Sequence, residues 1–119
     1  MTTQNTMQDF TIRREGKPFL KFQGEIIGQG ETEPSAYRGT KVIIFRTPSG
    51  NYVVQVVRFD RTVGSERIDG EAFSDVSSII DWLRVDGGER TVGQASQQAI
   101  ETACNKDENF KSAWIEIVQ

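Results

Sequence analysis

Lys41-Val-Ile-Ile-Phe-Arg46, Thr47-Pro-Ser-Gly-Asn51 and Tyr52-Val-Val-Gln-Val-Val-Arg-Phe59 follow one another without interruption. Two β-branched and aromatic runs flank a cluster of turn formers, which reads as an antiparallel hairpin. Val42, Ile43, Ile44 and Phe45 are consecutive, so both faces of the first strand are apolar. In the second strand Tyr52, Val54 and Val56 share one face, while Val53, Val57 and Phe59 share the other. A sheet with one solvated face would alternate apolar with polar residues instead. Both faces of this ribbon therefore need cover. Either helices cover one face and a partner the other, or the N-terminal strand and the tail wrap around it.

Working outward, Asp9–Arg14 alternates as a short strand, Glu15-Gly-Lys-Pro18 is a turn, and Phe19–Ile27 is a second strand. Leu20, Phe22, Gly24 and Ile26 fall on one face of it, and Lys21, Gln23 and Glu25 on the other. Gly28–Gly39 reads as a long loop by composition. After the hairpin, Gly64-Ser65 marks a turn before a possible edge strand over Arg67–Phe73. Ser74 or Asp75 then caps a helix whose Val76, Ile79, Ile80 and Leu83 repeat at i, i+3, i+4 and i+7. Asp86-Gly-Gly88 would end it.

Thr91 and Gln94 have the spacing of a capping box for a second helix running to about Asn105. Its stripe, Val92, Ala95, Ala99 and Ala103, is small enough for close packing on a neighbour. Asp107 caps a final helix with Phe110, Ala113, Trp114 and Ile117 on one face, although Trp114-Ile-Glu-Ile-Val118 also alternates as a strand would. The expected fold is α+β: a four- to five-stranded antiparallel β-meander followed by two or three C-terminal helices packed on one face. Residues 1–8 are expected to be disordered and residues 9–119 to form one domain, the size that a single modest core supports.

Composition narrows the chemistry. The chain has 119 residues, one cysteine and no histidine. That removes histidine triads, Cys–His dyads and imidazole metal sites, and leaves too few ligands for zinc. Cys104, among small residues on a helix, reads as a buried inert thiol. No apolar run approaches the roughly 20 residues that span a bilayer, and the polar N-terminus lacks a signal peptide's basic start and apolar core. A cytoplasmic location and no membrane contact are the default expectation. Residues 1–67 carry ten Lys/Arg against seven Asp/Glu, whereas residues 68–119 carry four against ten. Such segregation steers charged partners, but its basic half is weak beside a dedicated nucleic-acid binder.

Gly28-x-Gly30 follows a strand, yet neither a third glycine nor Gly-Lys-Ser/Thr completes a phosphate loop. Asp60, Glu66, Asp69 and Glu71 lack the ligand spacing of a calcium loop. The interleaved Arg58, Arg61 and Arg67 point instead to cross-strand ion pairs. Arg38, Arg46, Arg58, Arg61 and Arg67, with Tyr37, Tyr52 and Phe59, have the ingredients of a single-strand-binding face, set against a reading as core aromatics and solubilising charges. Trp82, beside the first helix's apolar stripe and next to Arg84, is either peripheral core or an interface anchor.

Lys21-Phe-Gln-Gly-Glu-Ile-Ile27, Phe45-Arg-Thr-Pro-Ser-Gly-Asn-Tyr-Val-Val54 and Ser65-Glu66 together resemble a pattern in short uncharacterised bacterial proteins. That pattern is an F-x-G-E/R-x-L/I strand, an aromatic-RTxxGxYVV hairpin and an acidic helical tail. It covers about residues 19–84 and is interrupted here by the Gly28–Gly39 stretch. The resemblance implies a hairpin and a bacterial or phage origin, with no activity or site residues to carry over.

The leading expectation is a non-enzymatic protein-interaction domain, such as a small regulator, inhibitor or homodimeric accessory protein. It would act without cofactor or metal through Arg58, Asp60, Arg61, Arg67, Trp82 and Arg84. A small-ligand or nucleic-acid binding module using the basic sheet half is the alternative. A cofactorless enzyme resting on Asp, Glu, Arg and Tyr chemistry is the third possibility.

Overall fold

A computed structural model describes residues 7–33, 35–84, 91–115 and 118. Five antiparallel strands run β1 (Gln8–Arg14), β2 (Lys17–Glu31), β3 (Arg38–Arg46), β4 (Tyr52–Asp60) and β5 (Ser65–Phe73). They stand in the sheet in chain order. Helices α1 (Val76–Leu83), α2 (Gln94–Cys104) and α3 (Glu108–Ala113) follow. The α+β meander with C-terminal helices packed against the sheet is as expected. The first strand starts at Gln8, within the stretch expected to be disordered; residues 1–6 lie outside the described residues.

The hairpin of β3 and β4 is in unbroken register from Arg38↔Asp60 to Arg46↔Tyr52. Gly50, at φ +85°, supplies the turn geometry that a side chain resists. The chain itself covers one face of this ribbon and much of the other, where Val57 and Phe59 stay half-buried. On one face Val42, Ile44, Tyr52, Val54 and Val56 form the main core with residues of all three helices. On the other, Phe45 and Val53 pack with Ile12, Phe10, Leu20 and Phe22 from the N-terminal hairpin. The rings of Phe10 and Phe22 lie 4.7 and 5.0 Å from that of Phe45.

The sheet reaches its own second face because β2 bends. Glu25 pairs with Arg46 and Ile26 with Phe45, but Gly28 pairs with Ile44, so Ile27 is an inserted residue. Such a bulge twists the strand and resets which side chains face which way. Ile26 joins the N-terminal cluster and Ile27 the helix-side core. Up to Gly24 β2 pairs with β1; from Glu25 onward it pairs with β3. The sheet curls until β1 meets β5, where a Cβ on Gly70 would lie 3.0 Å from Ile12 and 3.5 Å from Leu20.

This arrangement corrects the reading of Gly28–Gly39 as a loop. The strand continues to Glu31, and its glycines serve close packing. A Cβ on Gly28 would collide with the Ala99 carbonyl oxygen, and one on Gly30 with that of Ala95. Helix α2 therefore sits directly on the β2 backbone through Ala95, Ala99 and Ala103, all buried. Glu31 N–H donates to Gln98 Oε1 (3.1 Å), and Thr102 Oγ1, which donates to the Gln98 carbonyl at 2.7 Å, lies 3.3 Å from the Gln29 carbonyl. Composition alone does not separate a glycine that bends a loop from one that admits a helix.

The helix starts divide. Asp75 caps α1 by accepting from Ser78 N–H at 2.8 Å, and Asp107 caps α3 through Asn109 and Phe110 N–H. The expected Thr91–Gln94 capping box does not open α2, whose N-cap is Gly93 with no side-chain hydrogen bond. Val92 precedes the helix and bridges to Arg84, while Ile100 and Ser96 join the buried face. Helix α1 ends at Leu83, and the expected stop at Asp86–Gly88 lies outside the described residues. In α3 only Phe110 is buried; Ala113 is exposed, Trp114 is the C-cap, and Ile117 lies outside the described residues.

One polar network locks α3 to the sheet. The Tyr52 hydroxyl donates to Asp107 Oδ2 (2.9 Å) and accepts from Asn109 Nδ2 (3.1 Å). Arg46 donates to the same Asp107 oxygen at 3.1 Å and pairs with Glu25 on β2. No helix among the described residues is long and apolar enough to cross a membrane.

Two outcomes follow for stability. Gly30→Ala forces α2 off the strand and is expected to cost about 3 kcal/mol or more, measured by chemical denaturation. Tyr52→Phe, which strips the hydroxyl from a buried carboxylate, is expected to cost about 1–3 kcal/mol at neutral pH. Burial, with the Asp107 carboxylate adding to it against an opposing Asn109 hydrogen bond, raises the Tyr52 phenol above its ordinary value of 10.0. Its contribution is complete below pH ~10 and is lost as pH rises through the raised value. Denaturation between pH 9 and 12 should therefore show a shallower alkaline loss of stability in Tyr52→Phe.

Candidate functional site

The helix-side face of β3, β4 and β5 divides into covered and open rows. Val42 and Val56 lie under the helices, with Asp69 beside Val56 on the edge strand. One row further, Thr40, Arg58 and Arg67 stand in register across the three strands. Beyond them come Arg38, Asp60 and Ser65. Residues two apart on a strand share a face, so these polar rows continue the surface that the valines begin.

Above the boundary row the C-terminal end of α1 and the N-terminal end of α2 come together. The bridge between Arg84 and Val92 holds the two ends side by side. A groove of about 540 Å³ opens there, with Val56, Arg58 and Asp69 from the sheet and Thr32 and Thr40 at one side. Trp82, Leu83 and Arg84 come from the end of α1, and Gly93 to Ser96 from the start of α2. A shallower depression shares Thr32, Thr40 and Arg58 with it and adds Arg38, Asp60 and Arg67.

Five of the six expected site residues therefore meet on one connected surface: Arg58, Trp82 and Arg84 in the groove, Asp60 and Arg67 in its shallow extension. Arg61 does not join them. Its backbone N–H donates to the Tyr37 carbonyl (2.7 Å), its Nη1 donates to the Ala36 carbonyl (3.1 Å), and its guanidinium lies 4.6 Å from the Phe59 ring centroid. It braces the connection between β2 and β3 on the opposite side of the β4 end.

The charges in and beside the groove are unequally engaged. Arg38 Nε pairs with Asp60 Oδ2 at 2.9 Å. Burial pushes the Asp60 carboxyl up, but the Thr62 N–H and Arg38 outweigh it and hold the group below its usual value. Arg67 pairs with Glu15 at 3.5 Å, and Arg84 with Asp81 at 3.0 Å, both with exposed partners and hence weakly bound. Asp69 accepts from its neighbour Gly70 N–H at 2.8 Å. Arg58 is exposed and makes neither an ion pair nor a hydrogen bond among the described residues. The expected cross-strand ion pairs form, but with other partners: Glu71 takes Arg14 and Lys17, not the interleaved arginines.

Trp82 is half-buried, with its ring 5.5 Å from that of Phe73, so it belongs to the edge of the main core as well as to the groove wall. Tyr52 and Arg46, two members of the supposed single-strand-binding face, are committed to the α3 network instead. Cys104 is half-buried against the main core; burial, Glu101 and Asp107 raise its thiol pKa. No group of three or more Cys, Asp or Glu side chains among the described residues is placed to hold a metal ion.

Sequence reasoning missed Ser96, Thr32, Thr40 and the start of α2, and weighed Asp69 only within an acidic cluster. For the start of α2 and Ser96 the advance signal was the glycine immediately before Gln94, which the nearby Thr91 obscured. Because the exposed Arg58 side chain makes no ion pair or hydrogen bond among the described residues, Arg58→Ala should leave the unfolding midpoint within the equivalent of about 0.5 kcal/mol of the parent, as thermal denaturation would show. Comparisons with protein-family models, curated proteins and solved structures find no match.

Proposed function

We propose that this protein is a non-enzymatic binding module that takes a small ligand in the groove between the sheet and the facing ends of α1 and α2. The observation that carries this reading is the convergence of Arg58, Trp82 and Arg84 on one concave surface. A volume of about 540 Å³ falls within the roughly 300–1,000 Å³ of small-molecule sites. Val56, Trp82 and Leu83 provide an apolar wall, and Arg58, Asp69 and Arg84 provide charge at its rim. The lining is mainly polar, with one apolar patch, which suits a small polar ligand that carries a carbon skeleton.

The expectation of a protein partner or homodimer rested on a ribbon with one face uncovered. Much of its second face, around Phe45 and Val53, is sheathed by β1 and β2, which weakens that support. The exposed Phe19, Tyr37 and Val63 are spread over three separate connections and strand starts, and Ile115 and Val118 lie after α3, as scattered surface apolar residues commonly do. The nucleic-acid version loses Tyr52 as a stacking platform, since that ring is in the core. A small ligand is the reading that uses the residues where they stand.

The test is a fragment screen followed by amide NMR on the uniformly labelled chain. Ligands should perturb Thr40, Arg58, the Trp82 indole N–H and the first residues of α2 as one group. Hits that cluster on another surface, or a library that produces none, would overturn the assignment.

A further inference from the structure

We infer that the start of α2 is a phosphate-binding subsite of this groove, so that the ligand is a small organic phosphate monoester; the inference rests on the groove being the binding surface. Helix α2 is 11 residues long, and its N-cap Gly93 gives no side-chain hydrogen bond to the first turn. Its first intrahelical bond runs from Gln97 N–H to the Gly93 carbonyl at 2.9 Å. The N–H groups of Gln94, Ala95 and Ser96 precede that bond, and they belong to residues that line the groove. Unsatisfied N–H groups and the positive end of the helix dipole together favour an anion.

A second, independent feature is Ser96. The residue is only 8% exposed, lines the groove, and its hydroxyl has no hydrogen-bond partner among the described residues. Fully sealed polar side-chain atoms without a partner do not occur among the described residues. The Ser96 hydroxyl is therefore one that still reaches the groove, as a donor waiting for an acceptor. Held in a mostly buried side chain yet open to the groove, this hydroxyl is placed to donate to a bound oxyanion.

Arg58 and Arg84 complete the donor set from the sheet floor and from the end of α1. Arg58 is uncommitted, and Arg84 has only an exposed pair with Asp81. Three backbone donors, a hydroxyl and two guanidinium groups match the several oxygens of a phosphate better than the two of a carboxylate. Asp69 is the one carboxylate in the lining. It opposes a bare anion near the floor and accepts hydrogen bonds from hydroxyl or amino groups on the body of the ligand. The wall of Val56, Trp82 and Leu83 takes the carbon skeleton of that body.

Amide NMR titrations at constant ionic strength with inorganic phosphate, adenosine 5′-monophosphate and adenosine test this. Phosphate and the nucleotide should shift the Gln94, Ala95 and Ser96 amides saturably by about 20 mM, and adenosine should not move them at that concentration. Gly93→Asp is the decisive variant. A Cβ at Gly93 meets nothing within 4 Å, and the backbone there is extended. The new carboxylate would cap the helix itself, keeping the fold while blocking the subsite.

Gly93→Asp and Arg58→Gln should each weaken phosphate at least about tenfold, while Arg61→Gln leaves it unchanged. Unmoved α2 amides, or phosphate affinity that survives Gly93→Asp in a folded protein, would overturn the subsite. Fragments that still occupy the groove in that case would leave the binding-module reading standing.

Discussion

The contact on which the rest of this structure depends is the seating of a helix backbone on a strand backbone. Gly28 and Gly30 leave β2 bare where α2 lies, and Ala95, Ala99 and Ala103, with the Cβ of Gln98, lie against them. The approach is closer than any pairing of larger residues permits. It requires the glycines to face the helix, and the inserted Ile27 is what turns them that way. A single extra residue thus divides one long strand into two tasks. The first half folds back with β1 over one side of the sheet, and the second half carries the helical layer on the other.

The groove is a by-product of where that layer stops. Helices α1 and α2 together cover the rows of Tyr52, Val54 and Val56, and both run out near the row that follows. Strands β3 to β5 continue past them, and the side chains in the continuation change from valine to threonine and arginine. Polar rows left uncovered need no partner to be stable. The same truncation places the electropositive start of one helix beside the end of another, over a floor that holds an unengaged guanidinium.

Much of this was readable in the residues, for identifiable reasons. The central hairpin declares itself because β-branched runs around Thr47–Asn51 satisfy both strand periodicity and turn chemistry. Helix α1 does so because its cap and its 3.6-residue stripe agree. The second half of β2 stayed hidden because glycine answers two opposite needs, a flexible bend and a tight approach, with the same letter. The start of α2 was misplaced because Thr91 and Gln94 have the right spacing for a box that Gly93 pre-empts. Arg61 was grouped with Arg58 by sequence proximity, yet one stands on β4 and the other just beyond its end, where Phe59 and the Ala36 carbonyl hold it. Nearness along the chain does not fix a side of the sheet.

The seam between the first and last strands has a consequence of its own. A sheet that curls without closing leaves two rims whose free amides and carbonyls invite strands from other molecules. Here the rims face each other, and Arg14, Lys17 and Glu71 form a charged fence along them, with Glu15 and Arg67 at one end. Arg14 also donates to the Gly70 carbonyl at 3.4 Å, occupying one of the exposed acceptors. Keeping paired charges along that line makes it a poor template for fibril growth, so a chain rich in valine and isoleucine ribbon is guarded at the margins where it would otherwise polymerise.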